Sequence, residues 1–310
     1  MNFLQRWIFA LKIKSWPKLF VPFILGQSFG ISSANETNWL ALLFGFLFTF
    51  SLVSFIVLLN DYADASVDKI KRTLFPDSSL KTIPDLILNK NEVLGVGLIF
   101  GFFTIIFGIL IEFYVGRSYS NLVSIICILV FLMYSLPPVK LNYRGGGEFL
   151  EMIGVGFVLP LFHFYLQNPN FFNLEFFLLI QIYTILSLTS AMASGFSDEE
   201  SDKLGGKRTF VTIFGNKYIH KTIIVILSIS FILLLAYLIL FQIKYRLGFS
   251  ILIIVFNLHY LEQIFALSKK AKTNAFDYQR VYKDKLHYLI WGTLCLFSIY
   301  TIYRKFIPTS

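Results

Sequence analysis

Charge is scarce in this chain: only 15% of its 310 residues are Asp, Glu, Lys or Arg, against roughly 25% in a soluble globular domain. A water-facing surface cannot be built from so few, which excludes an ordinary soluble fold. Cysteine is scarcer still. Cys127 and Cys295 are the only two; each lies inside an apolar run, so they exclude a disulfide framework and read as inert core thiols. Histidine is limited to four. His163 sits inside an apolar run, and His220, His259 and His287 are scattered, with no i, i+4 pair to ligate zinc from one helix face. The segment Trp7 to Lys14 has neither a signal-peptide h-region nor a small-residue cleavage site, so the N-terminus is expected to stay attached.

What is abundant is apolar surface. Hydrophobic residues make up 56% of the chain and the mean hydropathy is +0.69, which identifies a polytopic membrane protein. Residues Met1 to Lys18 form a basic amphipathic leading segment with Trp7 and Trp16 as interfacial anchors. Nine spans follow: Leu19 to Ser33, weakened by Pro22, Gly26 and Gly30; Trp39 to Leu59; Val93 to Val115; Leu122 to Leu136; Phe149 to Gln167; Leu174 to Phe196; Ile219 to Ile243; Leu247 to Leu267; and Leu286 to Phe306. The runs are continuous rather than alternating, so helices are expected and a β-barrel is not. The fold class is all-α, a single membrane domain over residues 1–310, with polar loops at 60–91 and 197–218.

Nine spans turn alternate loops to opposite sides of the membrane. On that assignment 22 of the 27 basic residues share one side, and only Arg117, Lys244, Arg246, Arg304 and Lys305 fall on the other. The positive-inside rule then makes the N-terminus and both polar loops cytoplasmic and the C-terminus external. The net charge of +9 is thus a matter of topology, with Lys269, Lys270 and Lys272 as anchors to anionic membrane lipid. No basic footprint is left for nucleic acid.

The chemistry is concentrated in two acidic segments. Asn60 to Asp68, N-D-Y-A-D-A-S-V-D, follows the second run directly. With Asn60 at zero and ~100° per residue, Asp64 falls at about 40°, Asp68 at about 80° and Asp61 at about 100°. The four side chains can converge on one object. Carboxylates this close repel one another and resist desolvation unless a cation neutralises them, and hard oxygen donors point to magnesium. The second segment, S-D-E-E-S-D-K-L-G-G-K-R-T from Ser197 to Thr209, leaves another span on the same side. Asp198 and Asp202 stand four apart, on one helix face.

A lone D-x-x-x-D in a cytoplasmic loop is an ordinary solvated pair. Two acidic segments that each begin where an apolar helix ends, with acids at one-face spacing, are better read as halves of one site. Gly205 and Gly206 add a flexible backbone, and Lys207 and Arg208 add phosphate-seeking cations. Carboxylates beside such cations suit a diphosphate bridged by magnesium. At a membrane face a diphosphate implies a lipid tail, and an isoprenyl chain would lie among helices that carry 36 phenylalanines and 16 tyrosines, whose faces stabilise an allylic cation. Glu148 and Glu151, three apart, would pair with neighbouring bases or orient Lys140 and Arg144. The competing reading is a transporter of divalent cations or lipid phosphates, which would place its charges near the bilayer midplane on broken helices rather than at helix ends.

Asn60 to Asp68 matches the N-D-x-x-D-x-x-x-D motif of the UbiA superfamily of intramembrane aromatic prenyltransferases, and Asp198 to Asp202 matches its second D-x-x-x-D motif. Gly206 to Thr209 and Phe214-Gly215 are similar to the family's continuation, and the resemblance covers most of the chain. Tyr134 to Glu148, Y-S-L-P-P-V-K-L-N-Y-R-G-G-G-E, with Tyr165 and Gln167, is similar to the 1,4-dihydroxy-2-naphthoate polyprenyltransferase branch of menaquinone biosynthesis. The chain departs from that branch at Ser194, Gly195 and Ser197 and at Phe75 to Leu80.

The resemblance implies nine helices bundled around a central cavity open to the cytoplasmic side, in a bacterial inner membrane. It implies magnesium-dependent transfer of a polyprenyl group from an isoprenyl diphosphate to a small aromatic acceptor. The naphthoate is favoured; 4-hydroxybenzoate, homogentisate and a lipid alcohol stay open. Asn60, Asp61, Asp64, Asp68, Asp198 and Asp202 would hold the metal, with Asp64, Asp68, Asp198 and Asp202 as the catalytic acids. Asn60, Arg72, Lys140, Arg144 and Lys207 would contact the diphosphate.

Overall fold

The computed structural model describes residues 1–170, 173–241 and 247–306. Among them every regular element is helical. A short α1 (Phe3–Ala10) precedes α2 (Pro17–Ser33), α3 (Trp39–Leu74), α4 (Lys90–Leu110, continued by a π turn to Val115) and α5 (Ser120–Ser135). Next come α6 (Gly147–Ile153) and α7 (Leu159–Gln167), joined through a π turn, then α8 (Leu174–Ser194) and the short α9 (Glu199–Leu204) and α10 (Phe210–Phe214). The last three are α11 (Asn216–Phe241), α12 (Leu247–Ser268) and α13 (Phe276–Phe306).

Among the described residues seven helical stretches are long and apolar enough to cross a membrane, α6 with α7 and α8 with α9 each counting as one, and the chain is an integral membrane protein. The predicted count of nine is not reached by length and composition: α2 has 17 residues and α5 has 16, short of the ~20 that span a bilayer. The predicted end of a span at Ile243, together with Lys244 and Arg246, lies outside the described residues.

The second span was predicted to end at Leu59, with a polar loop from residue 60. Instead α3 runs unbroken for 36 residues to Leu74. Residues 60–74 contain no Gly or Pro and are mostly tolerable or good helix formers. The helix starts where the Asn38 side chain accepts from the Ala41 amide, and stops at Phe75, just before Pro76. Lys71 and Arg72 occupy its last turn, where cations meet the negative end of the helix dipole.

The helices form two compact units. The first holds Met1–Phe20, Asn38–Gly147 and Glu200–Arg208. Within it α3 packs along α4, and α4 along α5. A buried cluster of Ala10, Leu58, Ile87, Leu88 and Val93, flanked by Trp7 and Tyr62, docks α1 and the segment before α4 against the start of the acidic stretch.

The second unit holds Val21–Thr37, Glu148–Glu199 and the chain from Thr209 onward. Its core includes Leu25, Phe29, Phe164, Phe176, Ile180, Tyr237, Tyr282 and Phe297. A Cβ on Gly26 would lie 2.2 Å from the Pro160 carbonyl oxygen, and one on Gly30 2.7 Å from that of Phe164. The glycines that weaken α2 as an isolated span are therefore what let α7 approach it, as small residues four apart do in membrane helix pairs. Arg304 pairs with Glu175 at 2.9 Å, and Lys305 Nζ donates to the carbonyls of Ile31 (2.7 Å) and Ala34 (3.1 Å). These two bases thus also tie α13 to α8 and to the end of α2.

Candidate active site

Because α3 continues past Leu59, its acids project at true helical spacing. Asp61, Asp68 and Arg72 differ by seven and four positions and form one stripe along the helix. The segment between α3 and α4 lies on that stripe. Thr82 Oγ1 donates to Asp61 Oδ2, Lys81 Nζ donates to Asp68 Oδ1, and Arg72 Nε donates to Asp85 Oδ1 at 3.0 Å. Asp85 Oδ2 closes the turn by accepting from the Lys81 amide at 2.7 Å. From the other side Lys12, just past α1, donates to Asp61 Oδ1. Asp61 is only 4% exposed and both its oxygens are engaged.

Asp64 stands off this stripe and meets the second motif. Lys207 Nζ donates to Asp64 Oδ2 at 2.7 Å and lies 3.9 Å from Asp202 Oδ1. The backbone explains how a residue so distant in sequence arrives there. A Cβ on Gly205 would lie 2.6 Å from Val67 Cγ2, so only glycine lets this turn sit so close to α3. Gly206 adopts φ +75°, reversing the chain, and the Lys207 amide donates to the Asp202 carbonyl at 2.8 Å. The Gly-Gly-Lys sequence is thus a device for laying one ammonium across carboxylates of both motifs.

Burial works to lower the pKa of the Lys207 ammonium. The nearby Asp64 and Asp202 carboxylates outweigh it and hold the group above the ordinary lysine range. Lys207 is therefore a permanent cation here. Tyr143, whose ring centre is 5.8 Å from that ammonium, has its phenol pushed up to about 12 by burial and then by the Asp64 charge. It stays a neutral phenol in any physiological setting.

The remaining predicted residues are placed as follows. Asn60 Oδ1 accepts a long hydrogen bond, 3.5 Å, from Ser135 Oγ. Lys140 has a left-handed backbone, φ 46°, and its ammonium lies 3.4 Å from the Tyr143 ring centre. Arg144 is exposed and donates to the Pro138 carbonyl at 2.9 Å. Asp198 belongs to the second unit, half-buried on a 3-10 turn at Phe196–Asp198, with Ser197 Oγ 3.3 Å from its Oδ2. Arg72, expected on the diphosphate, is folded into its own loop, bonded to Asp85 and to the carbonyls of Pro76 and Ser78, because a helix C-terminus and a carboxylate lie within its reach. Glu148 is buried and accepts from the Phe210 amide at 2.7 Å, capping α10.

Among the described residues no three acidic, histidine or cysteine side chains already converge on one metal position. Each site carboxylate of the first unit has a lysine partner. One oxygen is different: Asp64 Oδ1 is buried and makes no hydrogen bond. A buried, unsatisfied carboxylate oxygen is costly unless something binds it.

The family model for the UbiA prenyltransferase family matches residues 19–282. The chain belongs to the UbiA family. It is a prenyltransferase, as that family is. No curated protein matches it, and the similar solved structures are distant in sequence. A UbiA homolog from Archaeoglobus fulgidus, bound to GPP and Mg2+, is 16% identical with a TM-score of 0.66, over 96% of this chain and 99% of that one. The apo UbiA homolog from Aeropyrum pernix K1 is 11% identical with a TM-score of 0.63, over 90% and 98%. A structure of digeranylgeranylglyceryl phosphate synthase is 18% identical with a TM-score of 0.60, over 98% and 100%. At these identities the likeness concerns the fold, and it is the UbiA fold throughout.

Three participants in this UbiA site escaped the sequence reading: Lys12, Lys81 and Thr82. Lys12 and Lys81 carried only a topology reading, and Thr82 carried none. The available signal was the acids themselves, since carboxylates packed this tightly need counter-charges, but which lysine serves which acid is decided by tertiary contact.

Proposed function

We propose that this UbiA enzyme transfers a polyprenyl group from an isoprenyl diphosphate to a small aromatic acceptor, with magnesium as cofactor. The observation that carries the reading is Lys207 lying across Asp64 and Asp202 while the second Asp64 oxygen is buried and unbonded. The donor set fits magnesium: the oxygens are hard, they come from both motifs, and one of them lacks a partner. Asn60, Asp64, Asp68 and Asp202 would hold the ion, with Asp198, read from the sequence, as a further oxygen donor. Asp61 supports them from behind, its oxygens being taken by Lys12 and Thr82.

Magnesium, when bound, supplies the charge that stabilises the departing diphosphate. The side chains of the chain do the rest. Lys207 turns from Asp64 to a diphosphate oxygen, as a single flexible ammonium can. Lys140 and Arg144, on the segment that also carries Tyr143, provide further cations for the leaving group. The apolar helices exclude water, which would otherwise quench the allylic cation before the acceptor carbon attacks it. Loss of a proton from that carbon, or of carbon dioxide from a naphthoate, restores aromaticity.

For the acceptor, 1,4-dihydroxy-2-naphthoate is supported by the likeness of Tyr134 to Glu148 to that branch. A cytoplasmic active face follows where α2 and α5 cross the membrane as well as the seven longer helices, which puts 22 of the 27 basic residues on that side. The test is incubation of detergent-solubilised protein with magnesium, a labelled prenyl diphosphate and the naphthoate, hydroxybenzoate, homogentisate and a lipid alcohol in parallel, reading product mass. A product from the naphthoate alone is expected, and Asp64→Asn and Asp202→Asn should each lower its formation about a hundredfold. Full activity in both folded variants would overturn the assignment.

A further inference from the structure

We infer that the loop between α12 and α13 is a brace for the second acidic motif, with Thr273 and His220 as positioning residues for Asp198. The inference rests on the prenyl-transfer reading above. All the groups concerned lie in the second unit. Phe196 opens the turn that carries Asp198, is buried, and stacks its ring on His220 at 4.1 Å between centres. His220 Nε2 lies 2.7 Å from the Ala271 carbonyl oxygen; a carbonyl only accepts, so the ring donates from Nε2. Ala271 is fully buried although its neighbours Lys270 and Lys272 are exposed. A small apolar residue at 0% exposure inside a basic loop marks where that loop is held down.

The other side of the turn is held as well. Thr273 Oγ1 donates to Glu199 Oε2 at 2.8 Å, and Glu199 directly follows Asp198. Asn216 Nδ2 bridges the two contacts, 3.3 Å from the Phe196 carbonyl and 3.4 Å from Thr273 Oγ1. A three-residue 3-10 turn has too little hydrogen-bonded ladder of its own to fix its backbone. The backbone from which Asp198 projects is therefore set by the stack and by the threonine.

Two variants test the brace. Thr273→Val removes the hydroxyl and keeps the shape, with Thr273→Ser as the restoring variant; His220→Phe keeps the ring on Phe196 and loses the bond to Ala271. The magnesium concentration giving half-maximal prenyl transfer should rise roughly fivefold in Thr273→Val and His220→Phe, the scale of one partly exposed hydrogen bond. Turnover at saturating magnesium should stay within about twofold, and Thr273→Ser should behave as wild type. Calorimetric binding of magnesium with inorganic pyrophosphate should weaken by the same factor. An unchanged magnesium requirement in an active Thr273→Val, whether or not its melting temperature falls, overturns the brace; this result decides the matter if His220→Phe does not fold. A wild-type protein that neither transfers a prenyl group nor binds magnesium pyrophosphate overturns the functional reading itself.

Discussion

Replacing Lys207 with methionine is the sharpest probe of the site, because it removes one charge from between two carboxylates and leaves most of the packing. At an effective dielectric of ~20, a unit-charge contact at the Asp64 distance of 2.7 Å is worth about 6 kcal/mol, and one at the Asp202 distance of 3.9 Å about 4 kcal/mol, before desolvation. Desolvation of the ions cancels much of this, and breaking a buried pair typically costs ~3–5 kcal/mol. The Asp64 side chain is 22% exposed, which argues for the lower end, about 3 kcal/mol. The metal-free variant should therefore melt roughly 5–10 °C below wild type in detergent. Magnesium should then protect it more than it protects wild type, since Asp64 and Asp202 have lost their internal counter-ion. A metal-free Lys207→Met that melts with wild type, or gains no extra protection from magnesium, would refute the idea that Lys207 holds the place of a cation.

Other outcomes follow from the same geometry. The ammonium of Lys207 is held above its ordinary range, so its stabilising contribution is complete below the unfolded lysine value of ~10.4 and is lost only as pH rises through the higher folded value. The melting difference between wild type and Lys207→Met should accordingly stay constant from about pH 7 to about pH 10; a narrowing inside that window contradicts the pairing. Asp61→Asn should loosen the N-terminal segment and the loop after α3, giving faster hydrogen exchange in residues 1–20 and 75–89 at a cost of about 1–3 kcal/mol. Its magnesium requirement should stay near wild type, and a shift as large as that of Asp64→Asn would make Asp61 a ligand after all. Gly26→Val would drive a Cβ toward an oxygen only 2.2 Å away, so we expect at least ~3 kcal/mol of destabilisation and loss of the monodisperse peak in gel filtration.

Much of this was legible before the fold. Continuous apolar runs reported helices, and the positions of Asn60, Asp64 and Asp68 on one helical sector were readable from spacing. The boundary at Leu59 was misread for a physical reason: hydropathy reports where lipid ends, whereas a helix ends where its backbone is interrupted, here near Pro76. That Lys207 lies beside the carboxylates was readable, because glycines followed by a base beside carboxylates is a local pattern. The partners of Lys12 and Arg72 were not. Lys12 looks like any interfacial lysine, and only the docking of α1 through Ala10 brings it to Asp61. Arg72 gives no sign that its guanidinium meets Asp85, thirteen residues on.

The unbroken course of α3 gives the acidic motif a phase. At ~1.5 Å per residue the 36-residue helix is about 54 Å long, well beyond the ~30 Å hydrocarbon layer, so the lipid-facing stripe and the acids are two stretches of one rod. A single residue inserted near Ser54 would turn everything beyond it by ~100°. Asp64 would leave Lys207, and Asp61 would leave Lys12 and Thr82, all in one step. An insertion among residues 76–80 lies beyond α3 and leaves that phase unchanged; one in the apolar half of α3 does not. For this enzyme the length of a membrane span is thus also an angular setting of its proposed active site.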